Sequence, residues 1–353
     1  MSTTIPPPLP SIPGNRNKAN AKNGSPSPPL ISIICPVFNV EKYIAETIET
    51  VLSQTYENWE LLIVDGASTD HTLAIVNKYS KNNPRILVYS EPDEGPWHAT
   101  DKGIDRARGE YVCIVGGQDG FLDREWLSRC IQVFDRDKSI SLVWGSSRGM
   151  SEKGQLLQES HVSYSHLLGR ETRLDALKHV VEKIFMIIMD LILGSLERKK
   201  IILKKIFSPT ATLRIKFFTK RSFPRGEVPR KEGWFSYWLQ TGTTFNDQGA
   251  CTSKNVYLEC APRYPLGSRM INHLTDFNFN FNTRGYLSYY LPTRATFGRM
   301  HPGSSGERKA EELYAESEKY LEKVLDFKKK IGQNHQDIIF VDRNKNPVSK
   351  MSF

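Results

Sequence analysis

ISIICPVFNVEKYIAETIETVLSQTYENWELLIVDGASTD, residues 31–70, alternates between two apolar patterns. The run LISIICPVF, starting at Leu30, is short, continuous and rich in β-branched residues, as a strand buried on both faces must be. In EKYIAETIETVLSQ the apolar residues Ile44, Ile48, Val51 and Leu52 recur at three- and four-residue spacing, which predicts a helix with one buried face. WELLIVDGAS returns to the buried-strand pattern and ends in a polar turn.

The alternation continues outward. DHTLAIVNKYSK reads as a second amphipathic helix, RILVYSE as a third strand, PWHATDKGIDRARG as a helix and EYVCIVGG as a fourth strand. Strands and helices alternating over short connections predict an α/β sheet wound on both faces. Ligands of such sheets bind beyond the carboxyl ends of the strands. Those ends carry Asn39, Asp65, Glu91 to Gly95, and Gln118–Asp119, so the polar residues gather where a site belongs. Further on, SLVWGSS and GQLLQES read as a strand pair within residues 140–160. WFSYWLQTGTTFNDQGACTSKNVY resumes α/β composition, and ERKAEELYAESEKYLEKVLDFKKKIG reads as a helix with Leu313, Tyr320, Val324 and Phe327 on its apolar positions.

Composition narrows the partners. The chain of 353 residues is 39% hydrophobic and carries a net charge of +9 with a pI near 9.2. Sixteen basic and seven acidic residues fall between Arg170 and Glu232, so this stretch alone accounts for the net charge. Such a charge favours phosphate groups or an anionic membrane face. No nucleic-acid recognition motif accompanies it, and no nucleic acid is expected. The five cysteines show no CxxC spacing and an odd count, which fits a reducing cytoplasm rather than a disulfide framework. The N-terminus lacks the charged and apolar regions of a secretory signal. Residues 1–29, rich in Pro, Ser and Asn, read as a disordered tail.

The ordered series of strand, PVFN, helix, QTY, strand and VDGASTD resembles the opening of the family 2 glycosyltransferases. EPDEGPWHATDKGIDRARGEYVCIVGGQDG resembles that family's next block, which ends in its acidic metal motif. The likeness covers residues 30 to about 125, with a weaker match to about 305. It implies a GT-A-like α/β fold: a Rossmann-like mixed central sheet flanked by helices, here with a helical basic insertion. It further implies inverting transfer of a sugar, UDP- or GDP-linked, from a nucleoside-diphosphate sugar donor to a glycan or lipid-linked acceptor, in surface polysaccharide or glycolipid biosynthesis. The cofactor would be Mg²⁺ or Mn²⁺.

The residues agree with that chemistry. Pro36, Val37 and Phe38 supply a slot wall for the base. Asp65 can accept from a base N–H, or cap its own turn, since DGASTD is also good capping sequence; Ser68, Thr69 and Asp70 read as caps. Gly95 follows the third strand, where relatives pass close to the ligand. Asp101 and Lys102 stand where the family often has an asparagine and a basic residue. Asp119 falls on the metal position. Gln118 takes the place of a frequent acid and retains hydrogen-bonding capacity toward a ribose. FNDQGACTSKNVY resembles the acceptor-side block, with Asp247–Gln248 where His-Gln is frequent. LTDFNFNF resembles the family's D-[YF]-[DE]-F pattern, which implies Asp276 as the catalytic carboxylate and Asn278 at a second acidic position; an amide cannot serve as general base. His301 is a further candidate for the metal or diphosphate, or a structural histidine.

The expected organisation is a tail (1–29), a nucleotide-sugar-binding half (30–165), an apolar and basic helical insertion (166–232), an acceptor half (233–305) and a C-terminal helix and tail (306–353). In VVEKIFMIIMDLILGSL of the insertion, Ile184 to Leu193 is interrupted by Asp190 and too short to span a bilayer, and it runs into a stretch, Arg198 to Arg221, with nine basic residues and no acidic one. That pattern describes an interfacial helix on an anionic membrane surface, or a lid with a solvated basic face. The location implied is cytoplasmic, peripheral on the inner face of the cell membrane. A competing reading is a non-catalytic nucleotide-sugar-binding protein that has lost turnover through Gln118 and Asn278. A dehydrogenase or P-loop enzyme is disfavoured, because no G-x-G-x-x-G follows the first strand and no Walker lysine is present.

Overall fold

The computed structural model describes residues 28–157, 231–242, 245–262, 273–300 and 310–353. Strand β1 (Ile31–Val37) lies between β2 (Trp59–Asp65) and β4 (Tyr111–Ile114), parallel to both, and β3 (Ile86–Ser90) extends the parallel half beyond β2. Every residue of β2 is buried, as its unbroken apolar run requires. Alternate residues of β1 serve two cores. Ile31, Ile33 and Cys35 join Ile44, Ile48 and Val51 of helix α1 (Ile44–Leu52) and Val76 of α2 (Thr72–Asn82). Ile34 joins Leu62, Val64 and the Ala99 and Ile104 side chains of α3 (Pro96–Arg106) on the other face. The sheet is thus covered on both sides, as the sequence pattern requires.

The second half reverses direction. β7 (Cys251–Ser253) runs antiparallel to β4 and to β6 (Ile140–Ser151), while β8 (Leu287–Met300) runs parallel to β6 and antiparallel to the short β5 (Gly120–Phe121). The order is β3-β2-β1-β4-β7-β6-β8-β5, a mixed eight-stranded sheet, in agreement with the expected fold class. Three register shifts between β6 and β8 mark bulges, which bend and twist strands. Helix α4 (Trp126–Arg136) packs on β6, and Trp126 donates its indole N–H to the Gly249 carbonyl at 2.7 Å. The remaining described helices are α5 (Glu232–Thr241), α6 (Lys254–Cys260), α7 (His273–Thr283) and α8 (Ala310–Gln333).

Two local expectations need correction. Residues after Gly154 form only an isolated bridge, Met150 to Leu156, not a second strand over their described part. β6 itself runs on to Ser151. The C-terminal tail is a hairpin, β9 (Ile338–Val341) and β10 (Pro347–Met351), whose buried Phe340 meets Phe235 edge to face. On α8, Tyr320 and Val324 are buried as its spacing predicts. No helix among the described residues is long and apolar enough to cross a membrane. Residues 1–27 of the tail, most of the insertion including 180–221, and His301 lie outside the described residues.

Candidate active site

The parallel register lines up the strand ends. Val37 is paired with Asp65, and Asp65 with Ser90. At this edge the Val37 carbonyl accepts the Gly66 N–H (2.9 Å), and the Pro36 carbonyl accepts the Gly117 N–H (3.1 Å). The three loops are therefore stitched together by main-chain bonds, and Phe38 is left 58% exposed at the rim.

Asp65 is 0% exposed. Its carboxylate accepts the Ser68 N–H and hydroxyl and, at 2.6 Å, the Ser90 hydroxyl. It thus carries out the turn-capping role allowed by the sequence. Asp70 caps α2 by accepting the Thr72 N–H, and Ser68 and Asp70 also tie the neighbouring loop by accepting the Asn39 and Glu41 N–H groups, while Thr69 N–H donates to Asn39 Oδ1. Beside them, Asp93 lays its carboxylate over Gly66, where a side chain on residue 66 would need the same space. Asp93 Oδ1 also accepts the Gly95 N–H at 2.7 Å, and Gly95 opens α3 at φ 123°, a conformation that disfavours side chains. Lys102 donates to the Pro92 carbonyl and pairs with Glu91, so it closes the β3–α3 loop.

Asp119 follows β4 and is 9% exposed. Its Oδ2 accepts the Gln248 amide N–H at 2.7 Å, its Oδ1 accepts the Arg299 main-chain N–H at 2.9 Å, and its carbonyl accepts the Thr47 hydroxyl. Burial pushes the Asp119 carboxyl up to about 6, more than those two hydrogen bonds draw it down; the nearby Asp247 charge adds to the rise. Gln118 is half-buried, and its carbonyl accepts the Arg299 Nε–H. Gln248 is held in turn by the Ser147 hydroxyl at 2.8 Å, and Gly298 leaves the amide room where a Cβ would lie 2.8 Å from Gln248 Oε1.

A second polar group lies across the sheet. Asp101, on α3, is 3.9 Å from His273 Nε2 at the start of α7. His273 is buried, stacks on Trp97 at 4.3 Å and lies 3.5 Å from the Tyr257 hydroxyl. Trp97, Tyr257, His273 and Asp247 line a cavity of about 30 Å³, room for a water molecule. Burial raises the Asp247 pKa, and hydrogen bonds from the Asp247 and Gln248 main-chain N–H groups draw it partly back. The structure therefore brings Asp101 together with His273 and Trp97. Asp276, one turn along α7, pairs with Lys323 of α8 at 2.7 Å. Asn278 is buried, accepting the Phe245 N–H and donating to the Leu274 carbonyl.

Sequence reading assigned no role to Gln248, Arg299 or His273. Gln248 had a signal, its place beside Asp247 in the acceptor-side block. The other two acquire their roles only through contacts between distant segments.

The strand ends thus carry an exposed ring, a buried acid and two capped loops side by side. Residues 32–192 match the model of glycosyl transferase family 2. A chondroitin synthase of Pasteurella multocida (strain Pm70) is 31% identical over 133 residues, 38% of this chain and 14% of that protein. A PGL/p-HBAD biosynthesis glycosyltransferase of Mycobacterium bovis (strain BCG / Pasteur 1173P2) is 31% identical over 118 residues, 33% of this chain and 46% of that protein. The chain thus spans less than half the length of either relative. Among solved structures, S. aureus TarS 1-349 in complex with UDP-GlcNAc aligns with a TM-score of 0.48 at 17% identity, covering 81% of this chain and 64% of that one.

Proposed function

We propose that this protein is an inverting glycosyltransferase that moves a sugar from a nucleoside-diphosphate sugar to an acceptor hydroxyl in polysaccharide or glycolipid assembly. The observation that carries the reading is Asp119, a buried carboxylate fixed from two sides at the carboxyl end of β4, in the same row of strand ends as Phe38 and Asp65. The relatives' names support glycan assembly, and Phe38 with Pro36 and Val37 would take the base.

Among the described residues no group of three or more His, Cys, Asp or Glu side chains could hold a metal ion. Asp119 nevertheless fits a shared ion. Each of its oxygens accepts one N–H and retains a lone pair, and a hard cation takes few protein ligands when phosphates and water complete its shell. Asp119 would hold Mg²⁺ or Mn²⁺, which neutralises charge on a departing diphosphate. Gln118 would hydrogen-bond the ribose. Asp276 would take the proton of the acceptor hydroxyl as its oxygen attacks the anomeric carbon. Asp247 is a second reading for that base, favoured by its electrostatic contact with Asp119 while Asp276 pairs with Lys323.

The test is a screen of UDP- and GDP-linked sugars for binding and for transfer or hydrolysis, with and without Mn²⁺. Mn²⁺-dependent binding with turnover supports the enzyme. Binding without turnover against any acceptor tried favours the non-catalytic reading, and no nucleotide binding at all removes both.

A further inference from the structure

Arg299 ends β8, and its side chain is 2% exposed. Its guanidinium reaches four different acceptors. Nε–H donates to the Gln118 carbonyl at 3.3 Å, and Nη1–H to the Ser151 and Glu152 carbonyls at 3.1 and 3.3 Å. Nη2–H donates to Glu46 Oε2 on α1 at 2.5 Å. The group also lies 4.9 Å from the Tyr43 ring centre and 5.6 Å from that of Phe297. The same residue's main-chain N–H holds Asp119 Oδ1. One residue therefore contacts both members of the Gln118–Asp119 pair, one through its side chain and the other through its backbone.

A buried guanidinium is costly unless its donors are satisfied, and here three main-chain carbonyls and one carboxylate do so. Those partners belong to α1, to the end of β6 and to the loop after β4, so the planar fork fixes three segments against one another. A lysine could not do this, because its donors all radiate from one nitrogen.

The geometry points to Arg299 as the positioning residue of the cation and diphosphate site: it sets where the Asp119 carboxylate stands, and acts through it without touching substrate. This rests on the glycosyltransferase reading of Asp119. Groups that orient a metal ligand from behind change metal affinity by about 10–100-fold when removed.

The experiment measures UDP and GDP binding by calorimetry across a Mn²⁺ series, alongside thermal melting, for wild type, Arg299→Lys and Glu46→Gln. Arg299→Lys should raise the Mn²⁺ concentration for half-maximal binding by about ten-fold or more, with metal-free nucleotide affinity unchanged. Glu46→Gln weakens the anchor of Nη2 from a half-exposed position, and should shift the same quantity several-fold. It also provides the readout if the lysine variant does not fold. A merely structural role would lower the melting temperature and leave the Mn²⁺ dependence of the folded fraction untouched; that result overturns the inference. Wild-type protein whose nucleotide binding ignores Mn²⁺ would instead overturn the metal reading of Asp119, and this inference with it.

Discussion

Gln248 Nε2 lies 2.7 Å from Asp119 Oδ2, an amide from just before β7 clasping a carboxylate from the loop after β4. The clasp has a support and a gap that admits it. Ser147 donates to the far oxygen of the amide, and Gly298 leaves it room. A fixed amide donor favours the ionised carboxylate, so it opposes the effect of burial on Asp119.

Removing that donor should therefore raise the Asp119 pKa beyond its present value near 6. Gln248→Ala is expected to move the acid limb of Mn²⁺-dependent nucleotide binding to higher pH and to weaken binding at pH 7 several-fold. Gly298→Ala should act in the same direction, because its new methyl displaces the amide. Binding isotherms from pH 5 to 8 check both. An unmoved acid limb in Gln248→Ala would mean that Asp119 does not govern it.

Asp119 also makes a prediction about stability without metal. Its folded pKa, about 6, lies above the ordinary value of 3.8, so between those values the folded state binds more protons than the unfolded one. Stability must then fall as pH rises through this window and level off above it. Two units correspond to a penalty of up to about 3 kcal/mol at neutral pH. Asp119→Asn removes the titration. In chelator its melting temperature should gain on wild type between pH 4 and 7, while Mn²⁺-dependent binding is lost. Parallel melting curves across that range would count against the buried charge.

Much of this fold was legible because its parallel half depends on local pattern. The β-branched run of β1, the spacing of Ile44, Ile48 and Val51, and the polar strand ends each declare themselves within a dozen residues. Asp119 could be read from its place after β4. Arg299 could not, because its value depends on Gln118, Ser151 and Glu46, all remote in sequence and met only when the sheet closes. The C-terminal hairpin was missed for a related reason. Ile338 to Val341 is too short to show a period, and its burial comes from Phe235 and Tyr286, whose positions no local pattern gives. Asp65 carried both turn and ligand chemistry in its sequence, and the structure displays the turn chemistry.

The basic insertion yields a prediction from sequence alone. Residues 180–221 combine Phe185, Met186, Ile188, Met189 and Ile192 with nine nearby basic residues. Each basic residue close to an anionic surface contributes about 1 kcal/mol. Co-sedimentation should show binding to anionic vesicles, weaker at high salt and lost on changing Lys199, Lys200, Lys204 and Lys205 to Glu. Equal binding to neutral vesicles would instead support a lid.

The choice of base can be decided by paired substitutions. Asp276→Asn and Asp247→Asn each keep side-chain size while removing the ability to accept a proton. If Asp276 is the base, its variant should lose about 10²–10⁴ in turnover with donor affinity nearly unchanged. Asp247→Asn would then cost much less, and the loss should fall partly on binding, because Asp247 influences the charge of Asp119. Lys323→Met adds a control. It frees Asp276 from its ion pair at 2.7 Å, so turnover by a base at 276 should change in that background. A base at 247 should not respond to Lys323, since that pair belongs to α7 and α8. Should Asp247→Asn show the larger loss in turnover and Lys323→Met leave turnover unmoved, proton transfer belongs beside His273 in the cavity, and Asp276 is a surface partner of α8.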